Sequence, residues 1–442
     1  MRSPSILALA LALTPGCYLS HERAEAVDAG VEDSGDPRDG GSDGGSPVDP
    51  CTTVCDAPSV LARIPLDLRW SRMPAVLDAV VHRDELVVAM LIADTFPGSV
   101  PITAFSLARI SRRTGEARIE VVDVGTQTAS IGAGALASRG DTLTLIAAHA
   151  GNSVPDMQPE VIVAQWEGAA AAPSLFEHPL TDSRLMACAG CFRRGASVAV
   201  GENGGIVALA GEGELFLGRV SLGTGDVVRE TITLPGVVPN TALDARGNRA
   251  GSALLAVGGL RETRGATASP ALAMVASEST LEAPISIPGT SSDSVPHPWL
   301  HDGALEVVRF LRDDGVAGGR LHRYAIEGAE TTEIGAPIRT AGDLPPLVIA
   351  STSSALLWVE SSLAAVGEAD LRVLAAPPAT CTESRPASVL HLPTPLATRD
   401  PRAMTATEAD GRTYAIVIEQ EPRDYENAVL VVFDLGACRD IP

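Results

Sequence analysis

From residue 58 onward the chain alternates short apolar runs with turn residues, and no long stretch keeps a helical period. Two passages are visibly alike. Arg109-Ile110-Ser111-Arg112-Arg113-Thr114-Gly115-Glu116 matches Arg219-Val220-Ser221-Leu222-Gly223-Thr224-Gly225-Asp226. Each reads as a strand, a Thr-Gly turn with an acid, and a second alternating strand, so each predicts a hairpin whose glycine supplies positive φ. Weaker copies turn at Gly168 and Gly328, and one without glycine turns near Glu278. The turns recur about every 53 residues, a period typical of stacked supersecondary units. A second series keeps the same phase. Apolar strands preceded by Asp, Asn, Gly or Ser turns start near Leu86, Leu143, Ile206, Leu254, Leu305, Leu356 and Tyr414.

Four strands per unit at this spacing predict an all-β fold, a β-propeller of seven four-stranded blades over residues 58–442. In length and hairpin layout the units resemble those of kelch, WD40 and quinoprotein-type propellers. The residues that define those families are mostly missing: a Gly-Gly pair such as Gly258-Gly259 does not recur once per unit, and there is no Trp-Asp dipeptide. The resemblance therefore implies an architecture and transfers no active site. The last unit supplies three strands, Ala403 to Glu408, Thr413 to Glu419 and Ala428 to Leu435, while Ser59 to Leu68 is an orphan strand at the front. Pairing the orphan as the fourth strand of the last blade closes the ring and removes the sheet edges.

In such a blade the first-to-second and third-to-fourth turns share one face, and here those turns are tight: Asp302-Gly303, Asp410-Gly411, Thr114-Gly115 and Thr224-Gly225. The opposite face collects long connections, Ala93 to Pro101, His149 to Glu160, Gly258 to Pro270, Phe310 to Gly319 and Glu419 to Asn427. Long loops on a rigid scaffold are where binding is expected. His149, Arg261, Asp313, Asp314 and Tyr425 are the candidate binding residues of that face. Chemistry there is thin. His297-Pro298-Trp299-Leu300-His301 has His-x3-His spacing, but Pro298 forbids the helix that would align both rings, so the segment reads as a surface strand and not as a metal site. Gly-x-Ser-x-Gly, Ser-x-x-Lys and His-Glu-x-x-His are absent, no catalytic residue is assigned, and no cofactor is implied.

Residues 1–16 change the picture of where the protein works. Arg2 gives a positive start, Ile6 to Leu13 a short apolar run, and Thr14-Pro15-Gly16 leads into Cys17. The run is too short to cross a bilayer, which needs about twenty residues. Leu13-Thr14-Pro15-Gly16-Cys17 resembles the lipobox of bacterial lipoproteins, which implies a signal peptide followed by a lipid-anchored Cys17 and a cell-envelope address, at the outer membrane. Cleavage by an ordinary signal peptidase, giving a secreted or periplasmic protein, is the alternative. Residues 17–57 hold Asp, Gly and Ser and little that could be buried, so they predict a disordered acidic tether with a reach of roughly 35 Å.

The net charge of −22 makes nucleic acid and anionic lipid headgroups poor partners. All 33 basic residues are arginine, and aromatics at 3% are too few for stacking sugars or bases. Six further cysteines, Cys51, Cys55, Cys188, Cys191, Cys381 and Cys438, suit disulfides in an oxidising compartment. Cys438 is expected to fasten the ring, bonded either to Cys55 or to Cys381. An antiparallel arrangement is expected to put Cys55 and Cys438 at opposite ends, which makes Cys381 the rival. That choice leaves Cys51–Cys55 and Cys188–Cys191 as local pairs and is favoured because each bond then spans a short distance. The functional expectation is a monomeric, non-enzymatic envelope scaffold that binds a protein or envelope polymer, touching the membrane only through its anchor. A propeller hydrolase or lyase acting on such a polymer is the alternative.

Overall fold

A computed structural model describes residues 51–56, 58–67, 74–94, 102–122, 132–149, 160–168, 172–179, 196–200, 204–210, 214–222, 227–233, 242–247, 253–258, 271–276, 285–288, 296–301, 304–312, 319–340, 345–361, 369–376, 384–392, 403–420 and 427–441. Among these residues the regular structure is almost wholly β. The chain opens with β1 (Cys51–Cys55) and β2 (Ser59–Asp67). The first blade follows as β3 (Ala75–His82), β4 (Glu85–Asp94), β5 (Ile102–Ser111) and β6 (Ala117–Val122). The second is β7 (Gly132–Arg139), β8 (Thr142–His149), β9 (Glu160–Glu167) and β10 (Ser174–Pro179), and the third β11 (Ala196–Val200), β12 (Gly204–Ala210), β13 (Glu214–Ser221) and β14 (Val227–Thr233). The fourth is β15 (Ala242–Gly247), β16 (Ala253–Gly258), β17 (Ala271–Ala276) and β18 (Ile285–Ile287). Next come β19 (His297–His301), β20 (Ala304–Arg312), β21 (Gly319–Glu327), β22 (Glu330–Glu333) and β23 (Ile338–Arg339), then β24 (Val348–Ser351), β25 (Ala355–Ser361), β26 (Ala369–Ala375), β27 (Ser384–Arg385) and β28 (Ala387–Leu392). The chain finishes with β29 (Met404–Ala409), β30 (Arg412–Gln420), β31 (Asn427–Gly436) and β32 (Cys438–Ile441).

The pairing makes an antiparallel ring. The innermost strands β3, β7, β11, β15, β19, β24 and β29 each neighbour the next, and β29 returns to β3. The expectation of seven four-stranded blades is corrected: six of the ring's sheets are four-stranded rather than seven, and the sheet of β19 to β22 carries β23 as a fifth strand on β21. The orphan strand is where closure requires it. β2 lies antiparallel to β31 as the outermost strand of the last blade, in the order β2-β31-β30-β29.

The burial pattern explains why the apolar runs are continuous in the middle strands. Leu86 through Leu91 of β4 are all buried, because each face of a blade meets a neighbouring blade. Outer strands need no such composition, and the Glu-Thr-Thr-Glu of β22 is largely exposed. The apolar cores accordingly lie between blades. One joins Ala62, Ile64, Leu66, Ile416, Leu430 and Val432 of the last blade to Val76, Leu86, Val88 and Ile110 of the first. Another joins Val359, Leu371 and Val373 to Val417, Val431 and Phe433.

A small accessory sheet in the order β27-β1-β32 was not foreseen. Residues 51–55, assigned from sequence to the tether, form its middle strand. Cys55 is bonded to Cys438. The favoured set with Cys51–Cys55 and Cys381–Cys438 is thereby overturned. The physical reason is simple: antiparallel pairing sets the start of β2 beside the end of β31, with Ser59 opposite Asp434, so residues just before one and just after the other meet at the same end. Cys17, Cys188, Cys191 and Cys381 lie outside the described residues.

Candidate functional site

Among the described residues, several polar groups of the tight-turn face bond between blades, while the Thr224-Gly225 and Asp302-Gly303 turns lie outside the described residues. At the first hairpin His82 Nδ1 lies 2.9 Å from Ser138 Oγ of the second blade, and Arg83 donates to Asp141 Oδ1 at 3.0 Å. Burial first, then Arg83 and Arg109, hold the His82 imidazole below its ordinary pKa, so it favours the neutral form. Where the ring closes, Arg112 of the first blade donates to Asp410 Oδ2 at 2.8 Å and to the Tyr414 hydroxyl at 3.1 Å, both in the last blade. Asp410 and Gly411 have φ of +52° and +70°, the two positive values that a tight I′ hairpin needs. One turn earlier in the ring, Glu408 Oε2 accepts from the hydroxyls of Ser353 at 2.9 Å and Ser354 at 2.7 Å, and from the Ser354 backbone N–H at 3.2 Å. These contacts knit neighbouring turns together.

Further charged groups sit deeper, in the seams. Arg109 donates to Glu120 Oε2 at 3.0 Å and lies over the Trp166 ring of the second blade at 5.9 Å. Arg323 grips Glu306 with two hydrogen bonds, of 2.9 and 3.0 Å, and its guanidinium lies 5.1 Å from the Trp299 ring centroid. His301 Nε2 comes within 2.7 Å of Glu306 Oε1 without the alignment of a hydrogen bond. Burial works against the Glu306 charge, but His301 and Arg323 outweigh it and hold the carboxyl below its ordinary range. Glu419 of β30 is the contrasting case. It is paired with Arg63 of β2, yet its Oε1 is buried without a partner, and burial outweighs Arg63 to push its pKa up.

The sequence-selected residues fare unevenly. His297 and His301 lie two apart from Trp299 on one face of β19, an innermost strand, so the segment is buried and not superficial as expected. His297 Nε2 is 3.1 Å from Ser351 Oγ, a partner different from that of His301. No group of three His, Cys, Asp or Glu among the described residues is placed to hold a metal. The backbone of His149 ends β8 on the long-loop side, opposite Gly132 and Glu160. Arg261, Asp313, Asp314 and Tyr425 lie outside the described residues. Sequence reading missed Glu306 and Glu419, although each stands as an acid beside an apolar run.

No family model and no curated protein sequence matches the chain. Among solved structures it is similar to the β-propeller domain of the trilobed protease of Pyrococcus furiosus, at 8% identity over 84% of this chain and 96% of that one, with a TM-score of 0.46. A protein of unknown function from Dyadobacter fermentans gives 11% identity, coverage of 87% and 99%, and a TM-score of 0.46. The sialidase of Trypanosoma rangeli, solved with sialic acid, gives 11% identity, 87% of this chain, 59% of that one and a TM-score of 0.43. The propeller assignment rests on this chain's own strand pairing, and these likenesses carry no activity over to it.

Proposed function

We propose that the protein is an exported, lipid-anchored cell-envelope propeller that binds a protein or envelope polymer on its long-loop face without transforming it. The observation that carries the reading is the Cys55–Cys438 disulfide, because such bonds persist in oxidising compartments and are rare in the cytosol. It agrees with the export signal and lipobox-like Cys17 read from the sequence. The choice of face is supported by the tight-turn face, whose His82, Arg83, Arg112 and Glu408 are engaged in blade-to-blade bonds. That leaves the long connections as the surface free to vary with a ligand.

The test has two parts. Cys17→Ser is expected to move the protein from the membrane fraction of its native cells to the soluble fraction; membrane association that survives the substitution overturns the anchor. Photocrosslinking groups placed at Asp313, which the sequence assigns to the long-loop face, and at Asp141 of the tight-turn face are compared in intact envelopes. A discrete adduct from Asp313 with none from Asp141 supports the binding face, and the reverse overturns it.

A further inference from the structure

The segment before β2 has two parts that are fastened by different means. β2 belongs to the ring: it pairs with β31 from Ser59 to Asp67 and buries Ala62, Ile64 and Leu66 against the first blade. β1 belongs to the accessory sheet and is held lightly. It pairs with β32 over Thr52 to Cys55 and with β27 over Cys51 and Thr52. Its one buried side chain among the described ones is Thr53, whose hydroxyl donates to Asp440 and accepts from the Ala375 N–H of β26 at 3.1 Å. Val54 is exposed, and the Asp56–Arg439 ion pair is exposed at 3.2 Å. Cys55 and Cys438 are half-buried.

We propose that Cys55–Cys438 is a redox latch on the accessory sheet, whose reduction frees β1 and β32 from the β26 side of the ring while β2 keeps the ring closed. A dithiol reductant supplies two electrons and two protons, the S–S bond breaks, each cysteine ends as a thiol, and the reductant closes to its own disulfide. What then remains for β1 is its few strand bonds, the buried Thr53 and the packing of the Cys55 side chain against the apolar core of the last two blades, less than holds β2. β2 keeps its apolar face and its ladder. Gly436 marks the border between the two parts: a Cβ there would meet the Asp56 carbonyl oxygen at 2.2 Å, so the backbones touch where the latch begins.

Hydrogen exchange read by mass spectrometry on the full chain tests the latch. The Cys55→Ser/Cys438→Ser double variant, and separately the folded wild type held in dithiothreitol, are each compared with the oxidised protein. Exchange in residues 52–56 and 438–441 should accelerate about tenfold or more, while residues 59–67 and 427–436 keep their protection. Reoxidation of the wild type should restore the slow exchange. Loss of protection through 59–67 would mean that the disulfide holds the ring itself, and unchanged exchange in 52–56 would mean that it latches nothing; either result overturns the proposal. If the double variant does not fold, the reduced wild type decides.

Discussion

Glu306 and Glu419 are both acids inside blade seams, and their surroundings push them in opposite directions. Glu306, depressed by its cationic neighbours against the pull of burial, stabilises the fold above the ordinary carboxylate pKa, and that contribution is lost as pH falls through the lower folded value. Glu306→Gln should therefore cost about 2 kcal/mol near neutral pH, by leaving Arg323 without its charged partner, and should flatten the acid limb of a denaturation series. Glu419, raised by burial, contributes most below the ordinary carboxylate pKa and loses that contribution as pH rises through its higher folded value. Glu419→Gln mimics the protonated acid, so it should cost less than about 1 kcal/mol at neutral pH and reduce the decline in stability from pH 4 upward. A Glu419 variant as damaging as Glu306→Gln would contradict the penalty that burial places on the Glu419 charge. Both acids can be seen in the sequence, Glu306 interrupting an apolar run and Glu419 ending one. Their partners cannot, because Arg323 and Arg63 are brought to them by strand register and not by spacing along the chain.

Hairpins were the most legible elements. Gly115, Gly168 and Gly328 all have positive φ, the conformation that their place between alternating strands demanded. Their tolerance to substitution should differ for a reason that no local pattern carries. Gly328→Ala meets nothing within 4 Å and should cost about 1 kcal/mol, the backbone penalty alone. Gly115→Ala would put its Cβ 2.2 Å from the Leu61 carbonyl oxygen of the closing strand, so it should cost at least about 2 kcal/mol and loosen the seam between last and first blades. Equal melting temperatures for the two variants would contradict that close approach. The elements that escaped the sequence were the shortest. β1, β23, β27 and β32 have two to five residues each, too few to show a period of two; β23 pairs with β21, and β1, β27 and β32 pair with one another.

At the scale of the molecule, the count of strands announced the closure: three strands at the end and one at the front make a sheet only if the ends meet. Removing residues 1–57 should leave a folded ring, whereas removing residues 1–67 also strips Ile64 and Leu66 from the seam, a loss of roughly 3–6 kcal/mol that also bares the edge of β31. The second truncation should aggregate or melt far earlier in light-scattering and thermal scans; indistinguishable behaviour would sink the role given to β2. The disulfide partner is not legible in the sequence, because it depends on which ends of β2 and β31 lie together in the ladder. The bridge between residues 383 positions apart has a mechanical meaning. Zippers fail from a loose end, one tooth at a time, and a strand at the margin of a sheet is ordinarily the loose end. Here a pull on the chain ahead of Cys51 reaches Cys55 and divides, part passing through sulfur into the final strand and part into β2. The two strands are loaded together, so the oxidised ring must be sheared along many hydrogen bonds at once instead of being peeled open from its first residue.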